Sequence, residues 1–230
     1  MAQGLNRAAP NAQSRPERAR RRLRLLPTFQ GAPADRGREP DWTGQMEMTM
    51  MQSRVARDGE EIAVHSSEGD WLIAWHSPIA VPVGQAHGAN AFCVTADDGV
   101  VLISGDGERW GWPGGRPEGD ESWEQTLRRE IWEETCAVVG EARLLGFCRA
   151  ACLTGPEAGL VLVRSVWRAE VELRPWEPRF EIAHRRVVPA SELWSHLWME
   201  AGFEPIYHRA LAEAGLMQRC AVATCGLTQR

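Results

Sequence analysis

The sequence contains no lysine and no long apolar segment. All 26 of its basic side chains are therefore arginines, and alanine, glycine and tryptophan are frequent. This bias indicates a GC-rich coding sequence rather than a functional demand. No apolar run approaches the roughly 20 residues that a membrane-spanning helix needs, so no membrane segment is predicted. With 230 residues, 43% of them hydrophobic, the chain is long enough to bury a core without disulfides or structural metals.

The cysteines lack the spacing of a metal site. The six are Cys93, Cys136, Cys148, Cys152, Cys220 and Cys225. No two of them form a CxxC pair, and no histidine lies at zinc-finger spacing from them. We therefore expect free thiols in a reducing cytosol and a cytoplasmic protein. A Cys148–Cys152 or Cys220–Cys225 disulfide has only proximity in sequence in its favour.

Charge is divided unevenly along the chain. The first 40 residues hold nine arginines and three acidic residues, a net charge of +6, so the remainder must carry −11 to give the total of −5. An acidic body does not suit a nucleic-acid groove, which needs the opposite sign. It suits a site that gathers divalent cations.

Residues 1–45 have the composition of a leader rather than of a folded domain. They contain five prolines and an arginine cluster, with little apolar periodicity. A disordered leader, an organelle transit peptide and a mis-assigned start codon all remain open, since several methionines follow residue 45. A nucleic-acid-binding arm is the disfavoured alternative. We expect the folded domain at residues 60–215 and a tail at residues 216–230.

Short β-like segments dominate the expected domain. The candidate strands span residues 71–75, 91–95, 100–104, 142–152, 160–171 and 180–188. Asp97-Asp98-Gly99 is a hairpin signal between the second and third of them. A loop with six glycines and two prolines follows at residues 105–119.

Three helices are predicted among these strands. Ser122 and Gln125 have the form of a capping box, and apolar residues recur every fourth position from Trp123. Further helices are expected at residues 191–201 and 205–214. Since no regular βαβ alternation is present, the expected class is α+β, a mixed β-sheet sandwiched between helices (α/β/α).

Three carboxylates project from one face of the first helix. Glu130, Glu133 and Glu134 have the spacing i, i+3, i+4. Their repulsion costs about a few tenths of a kcal/mol per pair, and a divalent cation turns that repulsion into coordination. Hard oxygen ligands select magnesium, manganese or calcium over zinc or copper.

Glutamates at helical spacing usually form only a solvated face, so the triplet alone does not indicate a metal site. The wider frame does, because a Gly-Gly turn, Glu121 and the run Arg129-Glu130-x-x-Glu133-Glu134 stand together in fixed order. The glycine-rich loop before the helix also lets the backbone approach a metal or phosphate closely.

The segment Gly115–Ala137 resembles the Nudix box, Gly-x5-Glu-x7-Arg-Glu-U-x-Glu-Glu-x-Gly-U, where U is bulky and apolar. The matching positions are Gly115, Glu121, Arg129, Glu130, Ile131, Glu133 and Glu134. Two positions depart: Cys136 replaces the last glycine, and Ala137 is small for the final apolar position. That glycine would end the helix with positive φ, which costs a cysteine about 1 kcal/mol. The change concerns geometry, since this position binds no ligand in the family.

The resemblance implies a metal site. Magnesium, with manganese as a substitute, would be bound by Glu130, Glu133, Glu134 and the carbonyl of Gly115. Glu133 would act as a further ligand or as the base on a metal-bound water.

Two more functions follow from the resemblance. Glu121 and Arg129 would form a structural ion pair that holds the loop against the helix. Family members often supply another catalytic carboxylate from a later strand or loop, and Glu181, expected at a strand edge, best matches that region. An ordinary surface glutamate is the equal alternative for Glu181.

Substrate-binding residues are less clearly indicated. Trp110 and Trp112 lie close enough to the loop to stack on a base, although core packing is the competing interpretation. Arg116 is a candidate for phosphate contact, and a solvated loop arginine is its rival. His87 and His184 are weaker candidates for proton or phosphate contact.

Together these features predict a magnesium-dependent Nudix-type pyrophosphohydrolase. Its substrate would be a small nucleoside diphosphate derivative such as an NTP, ADP-ribose or a nucleotide sugar, with no membrane or nucleic-acid partner. Monomer and homodimer both remain open. The alternatives are a non-catalytic Nudix-fold module that binds nucleotides and an acidic calcium-binding domain.

Overall fold

The computed structural model describes residues 54–66, 69–178 and 181–217. The expected leader, most of the expected tail, Cys220 and Cys225 lie outside the described residues. Eight strands and three helices follow one another in this part of the chain. They are β1 (Ile62–Ser66), β2 (Gly69–His76), β3 (Gln85–Val94), β4 (Gly99–Ser104), β5 (Gly114–Gly115), α1 (Trp123–Thr135), β6 (Ala137–Cys152), β7 (Val161–Leu173), β8 (His184–Pro189), α2 (Leu193–His196) and α3 (Glu204–Glu213).

The strands form one mixed sheet in the order β1-β2-β6-β7-β3-β4-β8, with β5 paired to β3. Only the β3–β7 pair is parallel among these named pairings, and it joins strands that are far apart in the sequence. The β3–β4 hairpin turns at Asp98, which has a φ of 59°. Its Thr95 backbone amide donates to the Gly99 carbonyl at 2.8 Å.

Each face of the sheet buries a separate apolar core. Leu127 and Ile131 of α1 pack on one face, against alanine and valine side chains of β3, β4 and β6. Tyr207 and Leu211 of α3 pack on the other face, with the tryptophans of β2 and Phe92. The expected α+β class with an α/β/α arrangement is therefore confirmed. No helix in the described ranges is long and apolar enough to cross a membrane.

Helix α1 begins and ends as the sequence predicts. Ser122 and Gln125 form both hydrogen bonds of a capping box. At the other end, Cys136 has φ 51° and ψ 40°, the left-handed conformation expected of the replaced glycine. The turn at Cys136 leads directly into β6, which therefore begins at Ala137 rather than near residue 142.

Two expected elements differ from the structure. The helix expected at residues 191–201 is only the single turn Leu193–His196, because Leu197 is extended and the Trp198 amide donates to the Trp110 carbonyl at 2.8 Å. The last strand begins at His184 and not at residue 180, so Glu181 lies in the turn before it and not on a strand edge.

The strain at Cys136 can be separated from the loss of its buried thiol by comparing two substitutions. Cys136→Ala removes the thiol, which donates to the Glu177 carbonyl at 3.4 Å, but keeps a Cβ in the left-handed conformation. Cys136→Gly removes both. We expect Cys136→Gly to be more stable than Cys136→Ala by about 1 kcal/mol in urea unfolding. Equal stability of the two variants would show that the left-handed turn is unstrained.

Candidate active site

A pair of glycines anchors the loop that precedes α1. Gly114 pairs with Asn90 and Gly115 with Ala89, which adds the two-residue strand β5 to the edge of β3. Gly114 has a φ of 148°, and a Cβ there would collide with the Ala89 carbonyl. A Cβ on Gly115 would collide with the carboxylate of Glu130. Only glycine at both positions allows the loop backbone to lie this close to the acidic helix.

Arg129 connects the loop to the carboxylates of α1. Its Nε and Nη2 donate to the two carboxylate oxygens of Glu121 at 2.7 and 2.9 Å, and Nη2 also donates to the Arg116 carbonyl at 2.8 Å. Its Nη1 donates to Glu130 at 2.8 Å and to Glu133 at 3.2 Å. Burial lowers the pKa of Arg129, but the bonds to Glu121 and Glu130 outweigh it and raise the pKa above its ordinary value. One guanidinium thus holds the loop and two carboxylates together.

Glu134 is the member of the acidic group that the loop backbone binds directly. The Gly114 amide donates to its Oε2 at 2.8 Å. Burial raises the pKa of Glu134 well above its usual range, and the charges of Glu130, Glu181 and Glu133 add to that rise, while the Gly114 hydrogen bond opposes it. The metal-free folded protein therefore carries closely spaced carboxylates that disfavour full ionisation.

Glu181 lies near this group although it comes from a distant turn. Its charge contributes to the raised pKa of Glu134. Its Oε2 is buried and makes no hydrogen bond within the described residues. A buried carboxylate oxygen without a hydrogen-bond donor is costly, which is the environment a cation would relieve.

The donor set fits a hard divalent cation by its chemistry. The charges of Glu130, Glu133 and Glu181 all raise the pKa of Glu134, so the four carboxylates lie close enough to act on one another, and Gly115 lies against Glu130. In the described ranges no three acidic, histidine or cysteine side chains are already placed as a coordination shell. The carboxylates are instead oriented by hydrogen bonds: Arg129 donates to Glu130 and Glu133, and the Gly114 amide donates to Glu134.

The aromatic candidates near the loop are packed rather than open. Trp112 is 7% exposed, lies 4.3 Å from Phe92 between ring centroids, and stacks on Tyr207 at 4.9 Å. It therefore serves the core, in agreement with the competing interpretation. Trp110 is also buried, and the guanidinium of Arg186 covers its ring at 4.1 Å. Arg116, in contrast, is exposed at the turn after Gly115.

Two polar residues near the loop were missed at the sequence level. Arg164 and Asn90 are buried, and Arg164 Nη1 donates to Asn90 Oδ1 at 2.9 Å. Arg164 Nε also donates to His87 Nδ1 at 3.2 Å, so this histidine candidate faces the guanidinium. His184 lies instead against Gly107. The sequence signal that could have revealed Arg164 is its place in a strand between Leu162 and Val166, where the alternation of side chains puts it on the core-facing side.

A mixed sheet between helical layers, with an acidic helix fixed to the two-glycine strand β5, defines a Nudix-type protein. The chain belongs to the NUDIX domain family, whose sequence profile matches residues 84–210, more than half of its length. No curated protein sequence matches the chain significantly.

Several solved bacterial structures are similar to this chain. One is the pyrophosphohydrolase BsRppH of Bacillus subtilis, 17% identical, covering 63% of this chain and 90% of that one with a TM-score of 0.49. A NUDIX hydrolase of Nitrosomonas europaea is 18% identical, covering 59% and 97%, with a TM-score of 0.43. The mutator protein MutT of Bacillus halodurans is 22% identical, covering 54% and 80%, with a TM-score of 0.41.

Loss of the Glu121–Arg129 pair should destabilise the fold. Glu121→Gln keeps the shape of the side chain but removes the charge that accepts both guanidinium bonds. We expect the free energy of unfolding, measured in urea, to fall by about 2 kcal/mol. Asp120→Asn, at the exposed neighbouring position, is the control and should change stability little. Equal effects of the two substitutions would contradict a structural ion pair.

Glu134→Gln should stabilise the metal-free protein. Because the folded-state pKa of Glu134 lies above the ordinary value of 4.5, its contribution to stability is lost as pH rises from that value toward the folded-state pKa. A neutral amide keeps an oxygen for the Gly114 amide and removes the titration. In a chelator near neutral pH, we expect a higher Tm than wild type, with the difference shrinking toward pH 4.5.

The matched control for this experiment is Glu124→Gln, on the same helix but exposed and paired with Arg128. It should not raise Tm at any pH. A Tm of Glu134→Gln below wild type across the whole pH range would show that the carboxylate–Gly114 bond outweighs the repulsion.

Proposed function

We propose that the chain is a magnesium-dependent hydrolase that cleaves a phosphoanhydride bond of a nucleoside diphosphate derivative. Membership of the NUDIX domain family supports a pyrophosphohydrolase. The observation that carries the proposal is the buried Oε2 of Glu181, near the carboxylates of α1, which makes no hydrogen bond in the part of the chain that the structure describes. A non-catalytic nucleotide-binding fold has no need for four carboxylates in one place, since anion binding is weakened by them.

The proposed metal ligands are Glu130, Glu133, Glu134 and the carbonyl of Gly115. Magnesium bound there would neutralise phosphoryl oxygens and lower the pKa of a bound water. Arg129 positions two of the proposed ligands, because it binds the carboxylates of Glu130 and Glu133. It also holds the loop in place through Glu121.

Glu133 and Glu181 are the proposed candidates for the base. The Glu133 side chain is 22% exposed and that of Glu130 only 8%, so water reaches Glu133 more easily. Glu181 lies in the turn before β8, and its buried Oε2 makes no hydrogen bond within the described residues. Accepting the proton of an attacking water requires a carboxylate within hydrogen-bond distance of that water.

The substrate is proposed to be a small molecule that reaches the site past the glycine turn. Arg116 is the exposed cation next to Gly115 and is suited to contact a phosphate. Residues 60–215 are proposed as the catalytic domain, and neither a membrane nor a nucleic acid is a proposed partner.

A magnesium-dependent product-release screen tests this function. The substrates would be nucleoside triphosphates, ADP-ribose, nucleotide sugars, dinucleoside polyphosphates and NADH. We expect turnover of at least one class, with kcat lowered about 10²- to 10⁴-fold in Glu133→Gln or Glu181→Gln and little change in KM. Activity should also disappear when a chelator removes the metal.

Glu124→Gln is again the matched control, because it neutralises a carboxylate on the same helix outside the site, and it should retain kcat. Absence of turnover on every substrate, with nucleotide binding preserved, would indicate the non-catalytic binding module. Metal binding without any phosphate release or nucleotide binding would indicate the calcium-binding alternative.

A further inference from the structure

The C-terminal end of α1 has no basic residue of its own. Its last turn contains Glu133 and Glu134 and no arginine or histidine. The carbonyl groups of a last helical turn lack partners within the helix and give that end a partial negative charge, so carboxylates are unfavourable there. The positive charge that binds this end comes from another element of the fold.

Arg185 of the edge strand β8 supplies that positive charge. Its Nη1 donates to the carbonyl of Thr135, the last residue of α1, at 2.6 Å. The same nitrogen donates to the Arg174 carbonyl at 3.1 Å, and the guanidinium carbon lies 5.1 Å from the centroid of the Trp176 ring. One side chain therefore joins β8, the end of the helix and the residue that follows β7.

The chain after β7 is bonded to the same end of α1 by two further contacts. The Arg174 amide donates to the Cys136 carbonyl at 2.9 Å, and the Cys136 thiol donates to the Glu177 carbonyl at 3.4 Å. These two contacts precede Glu181 in the sequence, and the contacts of Arg185 follow it. The chain is therefore attached to the end of α1 on both sides of Glu181.

Glu181 lies near the helix carboxylates against an unfavourable electrostatic force. It is in the turn before β8, and its carbonyl oxygen would be 3.1 Å from a Cβ built on Gly105. Its Oε2 is buried without a hydrogen bond in the described part of the chain, and its charge acts on Glu134. Like charges this close repel each other, so repulsion alone would move the turn away from α1. An attachment between the turn and the helix has to oppose that repulsion.

We propose that Arg185 is a positioning residue, which holds the turn of Glu181 against the end of α1 and so keeps Glu181 beside the helix carboxylates. This role rests on the proposed function in that these carboxylates are taken as the metal site. Arg185 bonds to the backbone carbonyls of Thr135 and Arg174. It therefore orients the site through the backbone and takes no part in the chemistry itself.

Calorimetric titration with manganese tests this role, because metal binding is measured without turnover. We expect Arg185→Met to weaken manganese binding about 10-fold, the lower end of the range for groups that orient a metal site. Arg185→Lys keeps a cation that can donate to the Thr135 carbonyl, so its loss of affinity should be measurable but smaller. The Tm of each variant, measured in a chelator, shows whether it is folded.

A double-mutant cycle separates positioning of Glu181 from general support of α1. Glu181→Gln alone should weaken manganese binding, because it removes a negative charge near the cation. Arg185→Met added to Glu181→Gln should then change the affinity by less than about twofold, since the turn no longer carries the carboxylate that Arg185 positions. If Arg185 supported only the helix, the two losses would multiply instead.

Arg186→Met is the matched control. Arg186 is the next residue of the same strand, so its side chain points to the opposite face of the sheet, where its guanidinium lies 4.1 Å from the centroid of the Trp110 ring. The same substitution at this position should leave the manganese affinity unchanged, whatever its effect on Tm.

Wild-type manganese affinity in a folded Arg185→Met variant overturns the positioning role, and so do multiplying losses in the cycle. If Arg185→Met does not fold, Arg185→Lys takes its place in the cycle, and either unchanged affinity or multiplying losses overturn the role. The two proposals fail separately. Manganese binding that shows the expected coupling, without turnover of any substrate, keeps the positioning role and removes the hydrolase. Turnover that needs Glu181 but is indifferent to Arg185 keeps the hydrolase and removes the positioning role.

Discussion

The contacts of the Arg129 guanidinium are the interaction on which the site depends. It binds both oxygens of Glu121, the carbonyl of Arg116 and the carboxylates of Glu130 and Glu133. Without a cation at this point, three helix carboxylates and a loop carboxylate would repel one another across the turn. The arginine therefore lets the fold keep a concentration of negative charge that folding alone would disfavour.

Features fixed by neighbours in the sequence could be predicted. The capping box at Ser122 and the left-handed Cys136 depend only on residues within one helix and its ends. The acidic face of α1 follows from helical spacing in the same way. The α+β class also followed from local patterns, because strand signals dominate, a few helix signals lie between them, and no regular βαβ alternation is present.

Features fixed by contacts between distant segments could not be predicted. The pairing of β3 with β7 is parallel and joins residues more than 70 positions apart, and it alone brings Arg164 to His87 and Asn90. The helix expected at residues 191–201 ends early because Trp198 bonds to Trp110. The position of Trp112 near the loop suggested stacking on a substrate, but in the fold its ring packs against Phe92 and Tyr207.

The two-residue strand β5 has a further consequence. It is hydrogen-bonded to Ala89 and Asn90, so one stretch of backbone borders the acidic helix on one side of the sheet and the Arg164 group on the other. The spacing of the backbone positions that carry these groups is therefore set by strand register, which changes only in whole-residue steps. The length of any molecule that contacts both groups is therefore constrained by the backbone of β3 and β5.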